Sequence, residues 1–206
     1  MQIEDTHQTS VPNLDSYLRQ LEEEGLAHDA AQPEHHNKRL NLESPTARLL
    51  QMLILAGRRR RVLEIGTSNG FSALWIADAL RRLPGAEPLV TLERDPDRAA
   101  QARKNLARTG LDSWVSVQVG DATAIVAQLP GPFDAVFFDA DRISAPAQLE
   151  RLLPKLESDV LLLADNALSH PAEIAGYLRS VSSLPGFVCT IVPVGKGLHV
   201  AHRLSA

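Results

Sequence analysis

The sequence predicts a doubly wound α/β domain with a mostly parallel sheet and an antiparallel C-terminal edge. From residue 61 onward, short apolar runs alternate with longer amphipathic segments, which is the pattern of strands and helices in such domains. The apolar runs are nearly continuous, as expected for parallel strands that are buried on both faces. The last two apolar runs flank Gly195-Lys196-Gly197, which indicates a hairpin and therefore an antiparallel last strand.

The N-terminal region, residues 1–44, is expected to be a helical and loop extension that precedes a main domain over residues 45–206. Asn13 can cap a first helix, and Ser44 can cap a second one in which Pro45 is the first helical residue. In chain order, the expected elements are a loose polar start at 1–12, a helix over 13–24, a loop over 25–43 and a helix over 45–56.

The main domain is expected to contain five parallel strands, each followed by a helix, and then the terminal hairpin. Each expected strand is a short run rich in apolar residues, such as Val62-Leu63-Glu64-Ile65. Strands are predicted at 61–65, 88–93, 114–119, 133–138 and 159–164, helices at 70–82, 96–109, 122–128, 145–154 and 171–183, and hairpin strands at 187–192 and 198–203.

The composition argues against several classes of function. The 206 residues fit one domain, and a net charge of −4 is unfavourable for a general nucleic-acid or anionic-membrane surface, so neither partner is expected. The sequence has no apolar stretch of membrane-spanning length and no signal-peptide pattern at its start, so we expect a cytoplasmic protein. The single cysteine, Cys189, cannot form an intrachain disulfide and is expected to be a small core residue.

Two local clusters allow more than one interpretation. The four arginines at 58–61 are interpreted as a solvated loop before a strand, and a phosphate site is the alternative. The pair His35-His36 is interpreted as a solvated or substrate-facing loop, and a metal site is the alternative, since adjacent side chains rarely chelate one ion. Trp75 and Trp114 are expected in the core.

The first predicted strand ends in a glycine turn, LEIGTSNGFSA. Gly66 and Gly70 allow the backbone to turn tightly and a ligand to approach it, and the following helix offers free N–H groups to which Ser72 can add a hydroxyl. The spacing is GxxxG, because Ser68 replaces the middle glycine that would admit a pyrophosphate. Glu64 would also repel a diphosphate but suits a positively charged amine.

The next two strand ends also carry acids. Glu93 lies where an acid can accept both hydroxyls of a ribose, although it also precedes the helix start at Asp95-Pro96. Asp121 and Ala122 can face an adenine edge, although a turn with a helix cap gives the same letters. The pocket therefore suits a ribose, a base and an amine-bearing group without a diphosphate, and S-adenosylmethionine has those parts.

Several motifs together resemble the metal-dependent O-methyltransferases of the catechol and caffeoyl-coenzyme A type. They are LLQMLILAGRRRRVLEIGTSNGFSALWIADAL, TLERDPDRAAQARKNLARTG, VGDA, FDAVFFDAD and LLLADN, and the resemblance covers residues 45–203. It implies a seven-stranded, Rossmann-like class I methyltransferase sheet and a homodimer, with residues 1–44 supplying a substrate lid and dimer contacts. The candidate cofactor-binding residues are Glu64, Gly66, Gly70, Ser72, Glu93, Asp121, Ala122, Asp139 and Asp141, of which Asp141 is expected at the amino end of S-adenosylmethionine.

The resemblance also explains why two apolar strands end in polar side chains. Asp139, Asp165 and Asn166 match the metal ligands of the family, and two carboxylates with an amide oxygen suit Mg²⁺, with Mn²⁺ or Ca²⁺ as alternatives. An ion there would lower the pKa of one of two adjacent substrate hydroxyls and hold it in line with the methyl group. The alternative is that these acids are ordinary strand-end caps.

The sequence departs from the family at two positions. Arg142 stands where the family usually has the lysine that serves as general base, and no tyrosine follows it. Arginine cannot accept a proton at neutral pH, which leaves three interpretations. Arg142 stabilises an oxyanion while the proton of the metal-bound hydroxyl goes to water, or the substrate is not a plain catechol, or the protein binds the cofactor but turns over poorly. Lys196 stands where an acid is more common, and solvation of the turn is preferred over contact with an anionic substrate.

The leading hypothesis is thus an enzyme that transfers a methyl group from S-adenosylmethionine to a hydroxyl of a small, catechol-like acceptor, with Asp139 and Arg142 as catalytic candidates. The alternative is a cofactor-binding homologue with weak or no catalysis that acts as a sensor or partner, which Arg142 favours. A nicotinamide-dependent oxidoreductase is a third hypothesis, disfavoured by the GxxxG turn and Glu64. A nucleic-acid methyltransferase has only the arginines at 58–61 in its favour.

Overall fold

A seven-stranded mixed sheet forms the centre of the protein. The computed structural model describes residues 13–34, 38–39 and 41–204. The strands are β1 (Val62–Ile65), β2 (Leu89–Glu93), β3 (Val115–Val119), β4 (Phe133–Phe138), β5 (Leu156–Ala164), β6 (Phe187–Val192) and β7 (Leu198–Arg203). The α-helices are α1 (Leu14–Ala31), α2 (Ser44–Ala56), α3 (Phe71–Leu80), α4 (Pro96–Thr109), α5 (Ala122–Gln128), α6 (Ala145–Leu152) and α7 (Pro171–Ser182).

The strand order is β3-β2-β1-β4-β5-β7-β6, and β1 to β5 are parallel. β7 runs antiparallel to both β5 and β6, so the predicted fold class and its antiparallel terminal hairpin are confirmed. β1 lies beside β4 while β2 and β5 lie on their outer sides, which places a topological switch point between β1 and β4. Ligands of doubly wound sheets bind at such a point, beyond the carboxyl ends of the strands.

Side chains that alternate along the strands enter two separate cores, one on each face of the sheet. Phe137 and Leu163 join α1, α2 and α3 in the first core. Phe138 and Leu162 join α6 and α7 in the second. Trp75 is buried in the first core, as predicted, and Trp114 packs against it partly buried. Both faces of the central strands are therefore covered, which accounts for their continuous apolar sequence.

The first helix is longer than the sequence predicted. Asn13 is its N-cap, as expected, but α1 continues to Ala31 through residues predicted to form a loop. Gly25 suggested a break, yet it lies buried inside the helix because the side chain of Asn41 packs where its Cβ would stand. The Asn41 amide also donates to the Leu21 carbonyl at 3.2 Å, so tertiary packing overrides the low helix propensity of glycine.

Two other expectations are corrected by long-range contacts. Ser44 is not the cap of α2: Glu43 holds the N-cap position, while the Ser44 hydroxyl donates to Glu22 at 2.6 Å. The arginine run is not uniformly solvated, because Arg59 is 6% exposed and donates to the carbonyl and carboxylate of Asp159 at 2.7 and 3.0 Å. Its aliphatic stem is buried and its charge is paired, which leaves no phosphate site at that residue.

Some expectations fall outside the described residues, namely the loose start at 1–12 and the pair His35-His36. Cys189 lies on β6 partly buried and packs against the second core. Within the ranges described, none of the helices combines the length and the apolar character that crossing a bilayer requires.

A buried histidine on β7 should make stability fall in acid. His199 is 3% exposed, its ring lies 5.6 Å from that of Tyr177, and burial lowers its pKa from 6.5 to about 4. The unfolded chain binds this proton more readily, so the contribution of neutral His199 is complete above pH 6.5 and is lost as the pH falls toward 4. We expect about 3 kcal/mol of the acid-induced loss of unfolding free energy to disappear in His199→Phe. Urea titrations at several pH values measure it, and an unchanged pH profile in the variant would contradict the assignment.

Candidate active site

The glycine turn after β1 packs directly against the end of β4. Gly66 has a φ of 108°, and a Cβ there would collide with the backbone carbonyl group of Asp139. Its N–H donates to the Leu92 carbonyl at 3.0 Å, which ties the turn to β2 as well. Gly70 has a φ of 85° and holds the N-cap position of α3, where it offers no side chain to the first N–H groups of the helix. The N-terminus of α3 is therefore held near the ends of β1 and β4.

Glu93 joins the glycine turn to the end of β2. One carboxylate oxygen accepts the Ser68 N–H at 2.7 Å, and the other accepts the Asp95 N–H at 2.9 Å. Asp95 itself caps α4 by accepting the N–H groups of Asp97 and Arg98. The helix cap is thus Asp95, and Glu93 lies at the strand end with its carboxylate partly exposed.

Glu64 lies wholly buried inside the sheet. Its Oε2 accepts the Thr91 hydroxyl at 2.6 Å, while Oε1 has no hydrogen-bond partner among the described residues. Burial raises the pKa of Glu64 to about 7, against the lowering effect of the Ser72 and Thr91 hydroxyls. A carboxyl group in this state gains most from a cationic neighbour, because a positive charge compensates its desolvation.

Asp121 and Asp141 both accept local hydrogen bonds, Asp121 as a helix cap and Asp141 within a turn. Asp121 is the N-cap of α5 and accepts the Ala124 N–H at 2.8 Å, so the capping interpretation of the third strand end is confirmed. Asp141 accepts the Ser144 hydroxyl at 2.5 Å and the Ile143 N–H at 3.1 Å. These contacts, led by Ser144, lower the pKa of Asp141, which keeps it ionised at neutral pH.

Asp139 and Asp165 follow the neighbouring strands β4 and β5. Burial, followed by the charge of Asp165, raises the pKa of Asp139 well above its usual range. Burial also raises the pKa of Asp165 to about 6, and its Oδ1 is buried with no hydrogen-bond partner among the described residues. Two buried carboxylates with raised pKa values, one of them raised by the charge of the other, would be stabilised by a nearby cation.

Asn166 completes this group. It has a φ of 67°, a left-handed conformation that asparagine tolerates better than most residues, and its amide donates to Asp165 Oδ2 at 2.7 Å. Across the described ranges, no three His, Cys, Asp or Glu side chains converge as a metal site. The candidate ligand set therefore depends on the amide oxygen of Asn166 together with the two carboxylates.

Two carboxylates of the site region were missed by the sequence reasoning. Arg142 pairs with Glu173 of α7, with Nη2 and Nε at 2.7 and 2.9 Å from the same oxygen. Lys196 pairs with Glu43 at 3.0 Å and is about one-third exposed, so it is not the freely solvated lysine that the sequence favoured. Neither partner lies near its cation in sequence, and no local motif marks either contact.

The comparison with protein families identifies the chain. A family model described as O-methyltransferase matches residues 8–175. The chain belongs to the O-methyltransferase family.

Relatives within the family agree with this assignment. The catechol O-methyltransferase of Niastella koreensis is 38% identical over 125 residues, which are 59% of this chain and 55% of that protein. This chain thus matches little more than half the length of that curated relative.

Solved structures of O-methyltransferases match nearly the whole fold. One from Bacillus cereus, in complex with SAH, has a TM-score of 0.78 at 27% identity and covers 95% of this chain and 94% of its own. Another, from Streptomyces achromogenes and involved in tomaymycin synthesis, is in complex with SAM, with a TM-score of 0.75 at 28% identity over 95% and 92% of the two chains.

The close approach of Gly66 to Asp139 should make this glycine indispensable in the O-methyltransferase chain. Gly66→Ala is expected to lower the free energy of unfolding by about 3 kcal/mol or more, because a methyl group meets backbone atoms that cannot move aside. Urea denaturation of the ligand-free protein measures this change.

Gly85→Ala is the matched control. Gly85 also has a positive φ, of 75°, but nothing lies within 4 Å of a Cβ there. It should therefore lose only the roughly 1–2 kcal/mol of left-handed strain. Equal losses in the two variants would show that the contact with Asp139 has no energetic weight.

Proposed function

We propose that this protein is an S-adenosylmethionine-dependent O-methyltransferase that needs a divalent cation and methylates a hydroxyl of a small acceptor with vicinal hydroxyls. The observation that carries the proposal is the arrangement at the switch point. The glycine turn packs on the backbone of Asp139, and the charge of Asp165 raises the pKa of the Asp139 side chain. A cofactor cradle and an oxygen-rich cation site are thereby adjacent, as methyl transfer to a bound hydroxyl requires.

The proposed cofactor site extends over the ends of β1, β2 and β3. The turn at Gly66 and Gly70 and the N-terminus of α3, with Ser72, would face the carboxylate-bearing part of S-adenosylmethionine. Glu93 would accept the ribose hydroxyls, since each of its oxygens makes one backbone hydrogen bond and retains a further lone pair. Asp121 and Ala122 would lie at the adenine edge.

The remaining cofactor contacts would be made by acids. Asp141 is held ionised and would meet the amino group, with Glu64 and Asp139 supplying negative charge beneath it. The SAH and SAM complexes of the similar solved structures support the choice of cofactor.

The proposed cation ligands are Asp139, Asp165 and Asn166. The raised pKa values of the two aspartates and the unpartnered Oδ1 of Asp165 fit a cation, because a positive charge would relieve both the desolvation and the repulsion. The oxygen-only donor set favours Mg²⁺, with Mn²⁺ or Ca²⁺ as alternatives. When bound, such an ion lowers the pKa of an acceptor hydroxyl.

The chain's own residues would orient the acceptor and balance its charge. Transfer forms a bond between the acceptor oxygen and the methyl carbon, breaks the carbon–sulfur bond and leaves S-adenosylhomocysteine, while the hydroxyl proton passes to solvent. An arginine side chain is not a general base at neutral pH, so the proposed role of Arg142 is to stabilise the developing oxyanion and not to accept the proton. Ile143 and Leu168, 74% and 52% exposed on the loops after β4 and β5, offer apolar surface to a ring.

The N-terminal region has a proposed role above the site. The Ser68 hydroxyl donates to the Arg39 carbonyl at 3.0 Å, and Arg98 donates to the Lys38 carbonyl at 3.1 Å, so residues 38–39 lie across the glycine turn. This position suits a lid over the cofactor, within the extension that we assign to residues 1–44 ahead of the methyltransferase domain at 45–206. A homodimer that uses this extension is proposed on the family resemblance.

Metal dependence is tested by measuring the S-adenosylhomocysteine formed from S-adenosylmethionine in the presence of a panel of catechols, with Mg²⁺ and again with excess EDTA. We expect product only with the ion, and a loss of at least about 100-fold in Asp165→Asn. Asp112→Asn is the control and should keep full activity. Asp112 is exposed and precedes β3, at the end of the strands that lies opposite the site. Turnover that is unaffected by EDTA would refute the cation requirement.

Arg142→Lys separates a working arginine from a degenerate site. Lysine cannot reproduce the two contacts with Glu173, so we expect kcat/KM to fall about threefold to tenfold. A large gain in kcat would instead favour the alternative function, a cofactor-binding homologue whose general base has been lost. Unchanged binding of S-adenosylhomocysteine, measured by calorimetry, is the control for folding.

A further inference from the structure

The turn that carries Lys196 is anchored on both sides of the site. A Cβ at Gly195 would meet the side chains of Glu43 and Thr46 at the start of α2. On the other side, a Cβ at Gly197 would meet Leu168. The Lys196 carbonyl accepts the N–H groups of Leu168 and Ser169 at 2.9 and 3.1 Å. The backbone of Lys196 is therefore fixed between the start of α2 and the loop that follows Asp165 and Asn166.

The side chain of Lys196 is directed into the same region. Its Nζ lies 3.0 Å from Glu43 Oε1, and both side chains are about two-thirds buried. The charge of Lys196 lowers the pKa of Asp139 and of Asp165 and that of Glu43 raises both, so this ion pair lies within electrostatic reach of both carboxylates. Glu43 Oε2 is buried without a hydrogen-bond partner among the described residues, so this pair is not an ordinary surface ion pair.

Lys196 carries the opposite charge to the residue that the resembled family more often has at this position. The resembled family more often has an acid at this position, so lysine makes the acceptor side more positive by two elementary charges. The other nearby cation, Arg142, is held by Glu173 on α7. Leu168, packed against the Lys196 turn, and Ile143 provide apolar surface beside the same loops. These loops thus combine apolar side chains with two cations, each paired with a carboxylate, and only Lys196 differs in sign from the residue that the resembled family more often has.

We propose that Lys196 is a specificity-determining residue that selects an acceptor with an anionic substituent, such as a carboxylate, on the ring that bears the vicinal hydroxyls. The inference rests on the proposed function and specifies its substrate class. Glu43 holds the ammonium group of Lys196 in position in the free protein. In the acceptor complex, the ammonium group also contacts the anionic substituent. A cationic acceptor is correspondingly disfavoured, because it would lie against Lys196.

The test compares three acceptors of similar size: 3,4-dihydroxybenzoate as the anion, 4-methylcatechol as the neutral compound and dopamine as the cation. We expect the protein, with S-adenosylmethionine and Mg²⁺, to favour the anion over the cation by about tenfold or more in kcat/KM, mainly through KM. Lys196→Met should bring the three values to within about threefold of one another, and Lys196→Glu should reverse the order. Lys196→Arg should retain the preference.

Lys104→Glu, the same charge change at an exposed position of α4, is the matched control and should leave the preference intact. Calorimetric binding of the three acceptors to protein loaded with S-adenosylhomocysteine and Mg²⁺ gives a readout that does not depend on turnover. A charge preference that is absent, or that survives in Lys196→Met, overturns the inference while leaving the methyltransferase proposal standing. If no catechol is bound or methylated, the proposed function fails and this inference fails with it.

Discussion

Buried negative charge at the carboxyl edge of the sheet is the constraint on which the site depends. Glu64, Asp139 and Asp165 are removed from water beside one another, and each has a raised pKa for which burial is the largest cause. Hydrogen bonds from the protein satisfy only some of their carboxylate oxygens, since Glu64 Oε1 and Asp165 Oδ1 lack partners among the described residues. Such groups cost folding free energy unless a cation compensates them, and this cost is the physical reason for the cationic ligands proposed above.

The scaffold sustains this cost because the neighbouring layers are apolar and well packed. β1, β4 and β5 bury their side chains in two cores, and their last residues are fixed by backbone hydrogen bonds, such as those from Asp139 to Ile65 and from Asp165 to Phe138. Gly66 then allows the first turn to lie on the backbone of Asp139. The backbone therefore holds the acids in position, and hydrogen bonds between their side chains are not needed for this.

Much of the fold could be predicted from sequence because its signals are local. Apolar runs, helix caps and the glycine turn placed the strands and helices of the main domain within a few residues, and parallel topology brought the strand-end acids together. The contacts that were missed all join distant parts of the chain: Glu43 with Lys196, Glu173 with Arg142, Arg59 with Asp159, and Asn41 with Gly25. Ion pairs and packing of this kind leave no periodic trace, so only the folded structure reveals them.

The two cations of the site are each held by a carboxylate outside the proposed ligand set, and this separation has a chemical consequence. If Lys196 or Arg142 paired directly with Asp139 or Asp165, it would occupy the oxygens that a divalent ion needs. Glu43 and Glu173 instead hold the ammonium and guanidinium groups, and the charge of Glu43 raises the pKa of Asp165 while those of Lys196 and Arg142 lower it. Among the described residues, no ion pair joins Lys196 or Arg142 to Asp139 or Asp165, so neither cation occupies their oxygens. In the proposed function, the same two ion pairs would leave the carboxylate oxygens to a divalent ion and keep both cations beside the loops that would meet the acceptor.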